Sequence, residues 1–169
     1  MAHDNSLREF QSYLANRVDQ AVAGETCASW LALESGGESW LVDLRDGGEI
    51  IPAPELCPVP LTQPWFAGLC NVRGTLYAVS DFAAFRGRPL TPRTSHTRLL
   101  LLGARHGANI GLLVERSFGL RKPEDLQPRA DSGLPAYVRA QWQDAAAQTW
   151  QVLDVAALLA APAFMQIAL

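Results

Sequence analysis

The sequence has little charge and no concentration of basic residues. Charged residues make up 18% of the 169 positions, and the formal net charge is −3 at pH 7. A surface that binds nucleic acid or an anionic membrane needs clustered lysine and arginine. The basic residues of segment 86–98 are interrupted by prolines and threonines, which predicts a solvated linker. Nucleic acid and anionic membranes are therefore not expected as partners.

Long apolar runs are also missing. No stretch approaches the roughly 20 apolar residues that a helix needs to cross a bilayer. Residues 1–10 lack the basic and apolar regions of a signal peptide. We therefore expect a cytoplasmic protein with no direct membrane insertion.

Cysteine and histidine are few and scattered. Cys27, Cys57 and Cys70 form no C-x-x-C pair and have no histidine at metal-ligand spacing. In a reducing compartment this predicts free, mostly buried thiols and no metal site. The three histidines lie in a tail, a polar linker and a hairpin loop, where a solvated side chain is the usual state. No phosphate-binding, dinucleotide-binding or hydrolase motif occurs, so we predict no catalytic residues, no cofactor and no enzymatic activity.

Apolar residues, in contrast, are abundant, at 49% of the chain. This is enough for one domain or for two small subdomains packed together. Residues 5–22 predict an amphipathic helix, because Ser6 and Glu9 fit a capping box and the apolar residues recur at intervals of three and four. We divide the chain into an N-terminal helix, 1–25, and a main domain, 26–169. The helix either packs on its own domain, which we favour, or docks a partner.

Most of the main domain has the pattern of short strands joined by tight turns. Apolar runs at 29–33 and 39–44 flank Gly36 and Gly37, which predicts a hairpin. Two further runs, 99–102 and 110–114, are apolar throughout and predict strands buried on both faces. A final strand is expected at 149–153. Glycines 47 and 48 predict a turn, and five prolines between positions 52 and 64 predict an extended loop.

Segment 65–87 organises the domain. Its apolar runs, 69–72 and 76–79, are separated by three residues, which predicts a tight hairpin in which Gly74 adopts a positive φ. Asp81 then caps a short helix, 82–85. The same pattern of strand, aspartate and short apolar helix returns around Asp154, 73 positions later. This repeat predicts two related β subdomains, each sealed by a short helix and sharing one core.

The hairpin also carries a resemblance to a known family. Residues 68–74, GLCNVRG, followed by 79–82, VSDF, closely resemble the G-x-x-N-x-R-G and V-x-D-L signature of CheW-like chemotaxis adaptor domains. The resemblance implies two small SH3-like five-stranded β-barrel subdomains packed on a shared core. Together with the N-terminal helix and the short capping helices predicted from the residues, we expect a mostly β fold. This chain is also similar to the PilI branch, which serves type IV pilus twitching signalling. The similarity lies in the sequence of the hairpin, in the proline-rich segment and in the N-terminal helix.

The resemblance further implies a function. CheW-like adaptors are non-catalytic and join the cytoplasmic tip of a methyl-accepting chemoreceptor to the regulatory domain of a CheA-type histidine kinase. The implied partner contacts lie near Arg73, Glu49 and Ile50. For Arg73 two roles stay open, an outward contact with a partner or an internal ion pair that braces the hairpin. Family members often carry a bulky apolar residue before the position of Glu49, where this chain has two glycines.

Five positions, four in the signature and one in its repeat, are expected to be structural. Gly74 is expected to form the turn, and the Asn71 side chain is expected to hydrogen-bond the turn backbone. The aspartates are expected to cap the short helices. The structural positions are Gly68, Asn71, Gly74, Asp81 and Asp154.

Two other functions are compatible with the sequence. Five tryptophans could line the pocket of a small-ligand-binding β-barrel, although packing in the core is their more common role. The chain could also be a regulatory module of a larger kinase or coupling protein. Its start at Met1 and its uncharged end favour a complete chain.

Overall fold

The structure, a computed structural model, describes residues 29–130 and 133–169. The predicted N-terminal helix, 1–25, lies outside the described residues. The described chain forms short strands, three short α-helices and two 3-10 helices, Ala104–His106 and Pro123–Asp125. The strands are β1 (Trp30–Ser35), β2 (Glu38–Asp43), β3 (Gly47–Pro52), β4 (Phe66–Val72), β5 (Thr75–Asp81), β6 (Arg98–Leu102), β7 (Ile110–Val114), β8 (Arg116–Arg121), β9 (Leu126–Arg129), β10 (Val138–Asp144) and β11 (Thr149–Leu153). The α-helices are α1 (Phe82–Phe85), α2 (Val155–Ala160) and α3 (Pro162–Met165).

The strands form two sheets. One has six strands in the order β8-β1-β2-β11-β10-β9, and the other has five in the order β3-β6-β7-β5-β4. The first two described strands, β1 and β2, belong to the six-stranded sheet. The next five form the whole five-stranded sheet, and the chain then returns to the six-stranded sheet. The predicted mostly β fold with two small subdomains is confirmed, with one strand more than expected in the first of them.

The two sheets share a pairing pattern. In the five-stranded sheet β5 runs parallel to β7, while its other pairings are antiparallel. In the six-stranded sheet β11 runs parallel to β2 in the same way. A short helix follows the parallel strand in each sheet, α1 after β5 and α2 after β11. The sheets are thus two versions of one unit, with β9 added to one of them.

Strand alternation divides the apolar residues among three clusters. In β6, Leu100 and Leu102 face the core that the two sheets share, whereas Leu99 and Leu101 face the interior of the five-stranded unit. Because successive side chains point to opposite faces, a strand between two cores needs a continuous apolar run. The predicted burial of 99–102 and 110–114 on both faces is confirmed.

The tryptophans belong to these cores. Trp40 lies in the shared core and Trp65 packs against it. Trp150 is buried inside the six-stranded unit, where Trp30 and Trp142 pack against the same cluster. All five therefore have the packing role.

The turn predicted at glycines 47 and 48 was wrong. Gly47 and Gly48 do not form a turn, because the chain turns at 44–46 and both glycines lie in β3. A Cβ on Gly48 would lie 3.1 Å from the Cα of Gly103, so glycine here allows close approach of backbone. Of the two cysteines among the described residues, Cys57 is exposed. Cys70 is buried, which raises the pKa of its thiol.

Candidate partner-binding site

The tip of the β4–β5 hairpin is a two-residue turn. Val72 pairs with Thr75, so the turn contains only Arg73 and Gly74, one residue fewer than predicted. Both have positive φ, 51° at Arg73 and 85° at Gly74, as a type I′ turn requires. The Oδ1 atom of Asn71 accepts a hydrogen bond from the Gly74 amide at 2.8 Å. This bond stabilises the turn and holds Arg73 at the tip.

Arg73 forms a two-pronged ion pair with Glu49 of β3. Its Nη1 atom donates to Oε2 at 2.8 Å, and its Nη2 atom donates to Oε1 at 2.5 Å. These hydrogen bonds hold the pKa of Glu49 below its usual value. The pair links the edge strand β3 to the tip of the β4–β5 hairpin, yet the side chains are 74% and 39% exposed. Solvent therefore weakens the pair, and its atoms stay open to a partner.

Ile50 follows Glu49 in β3. It is half-buried and packs against the shared core. Of the three residues expected to contact a partner, Arg73 and Glu49 are brought together by the structure. Ile50 is partly covered by its packing against the shared core.

An exposed leucine lies beside the hairpin tip. Leu76 is 57% exposed and pairs with Asn71 across the hairpin. It lines an open groove of about 640 Å³ together with Leu69 and Pro58. Strand alternation placed Leu76 on one face of β5, but no signal in the sequence says which face is covered. The structure adds this groove to the candidate site.

Gly68 is needed for close approach of two strands. Its φ is 125°, and a Cβ at this position would lie 2.3 Å from the carbonyl oxygen of Cys57. The next residue, Leu69, exchanges two backbone hydrogen bonds with Cys57, at 2.8 and 2.9 Å. Gly68 therefore lets the proline-rich segment pair with the outer edge of β4.

Asp81 and Asp154 are the N-caps of α1 and α2. Asp81 is buried, and its carboxylate accepts three hydrogen bonds, from the amide of Ala84 at 3.1 Å and from the amide and hydroxyl of Thr91 at 2.8 Å each. Asp154 accepts from the Ala157 amide at 2.9 Å, and this bond holds the pKa of its carboxyl below its usual value. Asp81 therefore also fixes the loop that follows α1, which Asp154 does not do for α2.

One arginine of segment 86–98 is not solvated, contrary to the prediction for that segment. The side chain of Arg86 is only 5% exposed and forms an ion pair with Glu38. Arg88 and Arg93 are exposed, as expected for a linker. Composition does not distinguish Arg86 from the other arginines of this segment, so its burial could not be predicted.

The described residues contain no group of three or more histidine, cysteine or acidic side chains that could hold a metal ion. Over the same ranges, no helix has the length and apolar character needed to cross a membrane.

Gly74→Val is expected to destabilise the fold by about 1–3 kcal/mol, because a β-branched residue resists positive φ. A Cβ at this position would meet no other atom within 4 Å, so backbone strain is the whole cost. Urea denaturation measures the change. Gly74→Asn is the control and should be nearly neutral, since asparagine tolerates this conformation. Equal stability of the valine variant and the unmodified protein would contradict the role of this glycine.

Comparison with known proteins agrees with the hairpin signature. The CheW-like domain family matches residues 29–163. Protein PilI of Pseudomonas aeruginosa is 26% identical over 151 residues, which cover 85% of this chain and 83% of that protein. The crystal structure of the scaffolding protein TtCheW from Thermoanaerobacter tengcongensis has a similar fold, with a TM-score of 0.65 at 16% identity. That similarity covers 77% of this chain and 90% of TtCheW. From the hairpin signature, the paired sheets and the extent of the family match, we conclude that the chain belongs to the CheW-like domain family.

Proposed function

We propose that this protein is a non-catalytic adaptor that couples the cytoplasmic tip of a methyl-accepting chemoreceptor to the regulatory domain of a CheA-type histidine kinase. Its membership of the CheW-like family supports an adaptor in a chemotaxis-like pathway. The observation that carries the proposal is the exposed β4–β5 hairpin, which has the ion pair of Arg73 with Glu49 at its tip and exposed Leu76 near the start of β5. This combination suits a protein partner better than a small substrate.

The tip offers the two kinds of contact that protein interfaces use. Leu76 and the groove beside it supply apolar surface, whose burial gives most of the binding free energy. The guanidinium of Arg73 presents several donors in a fixed plane, which can bind carboxylates or carbonyls of a partner and set its register. Because the ion pair with Glu49 is exposed, exchanging one of its bonds for a partner's group costs little.

The receptor contact differs in detail from that of many family members. At the start of β3, Gly48 is held against Gly103, so no bulky side chain is available there. A receptor helix that reaches this strand would contact Glu49 and half-buried Ile50 instead. We propose that this difference affects which receptor is bound.

We assign the adaptor to type IV pilus twitching signalling. The similarity to protein PilI of Pseudomonas aeruginosa extends over 85% of the chain and supports this branch. The tryptophans fill the cores, so no observation favours the alternative of a small-ligand-binding barrel.

Arg73→Glu is expected to leave the fold intact and weaken binding to at least one partner by about tenfold or more, because it places two carboxylates opposite each other at the contact. Calorimetry with the kinase regulatory domain and with the receptor tip from the same genome measures the change. Arg129→Glu is the matched control, since Arg129 is exposed on the six-stranded sheet.

Three results would count against this picture. If the unmodified protein binds neither partner, the adaptor function is wrong. If Arg73→Glu binds both partners normally, the hairpin tip is not the contact. If Arg73→Glu unfolds, the ion pair with Glu49 serves to brace the hairpin.

A further inference from the structure

Arg86 follows the helix of one sheet, but its main contacts lie on the other. It comes directly after α1, which continues from β5 of the five-stranded sheet. Its Nη2 atom donates to the carbonyl oxygen of Ser35 at 2.7 Å and to the Ser35 hydroxyl at 3.1 Å. Its Nη1 atom donates to the carboxylate of Glu38. Ser35 and Glu38 flank the β1–β2 turn of the six-stranded sheet.

The same guanidinium lies against one aromatic ring from each sheet. Its central carbon is 4.6 Å from the ring centroid of Trp40 in β2 and 4.7 Å from that of Phe82 in α1. The two rings meet edge to face at 4.8 Å. The Nε atom donates to the carbonyl oxygen of Phe82 at 3.2 Å. Every nitrogen of Arg86 therefore has a partner, and the partners are divided between the sheets.

Stability alone does not explain a cation at this position. Burial lowers the pKa of Arg86, which shows that the charge is costly to hold there. Well-packed apolar residues often stabilise a fold as much as a buried ion pair does. The repeat provides the comparison, because Leu159 lies five residues after Asp154 as Arg86 lies five after Asp81. Leu159 packs against the shared core.

An arginine gives what a leucine lacks, which is direction. Apolar contacts across the shared core are non-directional and tolerate small shifts of one sheet over the other. The fork of Arg86 fits only one placement of the β1–β2 turn relative to α1.

We propose that Arg86 is a positioning residue, which fixes the orientation of the five-stranded sheet relative to the six-stranded sheet. Its effect on partner binding rests on the proposed adaptor function. A partner that touches both subdomains meets one preset geometry, so it does not have to select that geometry from several.

The test compares Arg86→Leu and Arg86→Lys with Arg88→Leu in the full chain. Arg88 donates to the same Glu38 carboxylate at 2.6 Å but is 51% exposed, so its variant controls for loss of a charge beside Glu38. Residual dipolar couplings, measured by NMR well below the melting temperature, report the relative orientation of the sheets. The unmodified protein and Arg88→Leu should fit one alignment tensor for both sheets. Both Arg86 variants should need two alignment tensors, one for each sheet. Leucine removes the hydrogen bonds, and lysine keeps the charge without the planar guanidinium that bonds both sheets.

Binding to the kinase regulatory domain gives the second measurement. Arg86→Leu should bind about fivefold or more weakly, a usual size for coupling through a packed network, and Arg88→Leu should bind normally. A single tensor with unchanged relative orientation in Arg86→Leu would overturn the inference, whatever the binding result. If the unmodified protein binds no kinase domain, the proposed function fails while the couplings still decide the role of Arg86. Should Arg86→Leu not fold, Glu38→Ala is the substitute, because it removes the carboxylate that pairs with Arg86 and the Glu38 side chain is 29% exposed. Its residual dipolar couplings should likewise need two alignment tensors.

Discussion

Gly68→Ala is expected to lower the free energy of unfolding by about 3 kcal/mol or more, although it adds a single methyl group. The added Cβ would lie 2.3 Å from the carbonyl oxygen of Cys57, and that oxygen accepts a backbone hydrogen bond from Leu69. Backbone on both sides leaves no flexible side chain to move away. The proline-rich segment would have to separate from β4. Urea denaturation, monitored by tryptophan fluorescence, measures the change in the free energy of unfolding.

Gly74→Ala is the matched control for that prediction. Gly74 lies in the same hairpin and has a positive φ, but a Cβ there meets nothing within 4 Å. It should cost about 1 kcal/mol, which is the conformational part alone. Equal losses in the two variants would mean that the approach of Cys57 to Gly68 is not tight in solution.

Asp81→Ala is expected to destabilise the fold by about 3 kcal/mol, because it leaves buried donors without partners. The amide of Ala84 loses its cap, and the amide and hydroxyl of Thr91 lose both bonds to the carboxylate. Thr91 is itself buried, so water cannot readily replace these bonds. Thermal unfolding should show a melting temperature lower by roughly 6–12 °C.

Asp154→Ala tests why Asp81→Ala should cost more than the loss of an ordinary N-cap. We attribute the additional loss of stability to the loop that Asp81 holds. Asp154 caps α2 in the same way, but its other bond is to Arg139, whose side chain is 49% exposed. Its loss should cost about 1 kcal/mol, the usual value of an N-cap. If both aspartate variants lose the same stability, the bonds to Thr91 contribute nothing beyond the cap.

Local features of this fold could be predicted from the sequence because neighbouring residues decide them. The glycine pair at 36 and 37 and the glycine at 74 specify tight turns, and the alternating or continuous apolar runs specify strands. The caps at Asp81 and Asp154 follow from a short acceptor before an apolar segment. The repeat around these aspartates then pointed correctly to two related subdomains.

Contacts between distant segments could not be predicted in the same way. Arg86 and Glu38 are 48 positions apart, and Arg73 and Glu49 are 24 apart. The sequence does not distinguish the buried Arg86 from the exposed Arg73, and only the folded structure shows which side chain is removed from solvent. The glycines at 47 and 48 misled for a related reason, because glycine marks close approach of strands as well as turns.

The route of the chain between the two sheets also sets an order in which they can be completed during synthesis. Strands β3 to β7 form one uninterrupted stretch, so the five-stranded unit has all its pairings once Val114 has been made. Of the described strands, β1 and β2 are made first, and β11, the parallel partner of β2, is made last. The hydrogen bond from Gln148, next to β11, to Ser39 of β2 joins residues 109 positions apart. Until then the apolar faces of β1 and β2 lack their final cover, which is the state in which nascent chains aggregate. The five-stranded unit, which is complete earlier, provides an apolar surface against which the β1–β2 hairpin can pack until β11 has been made.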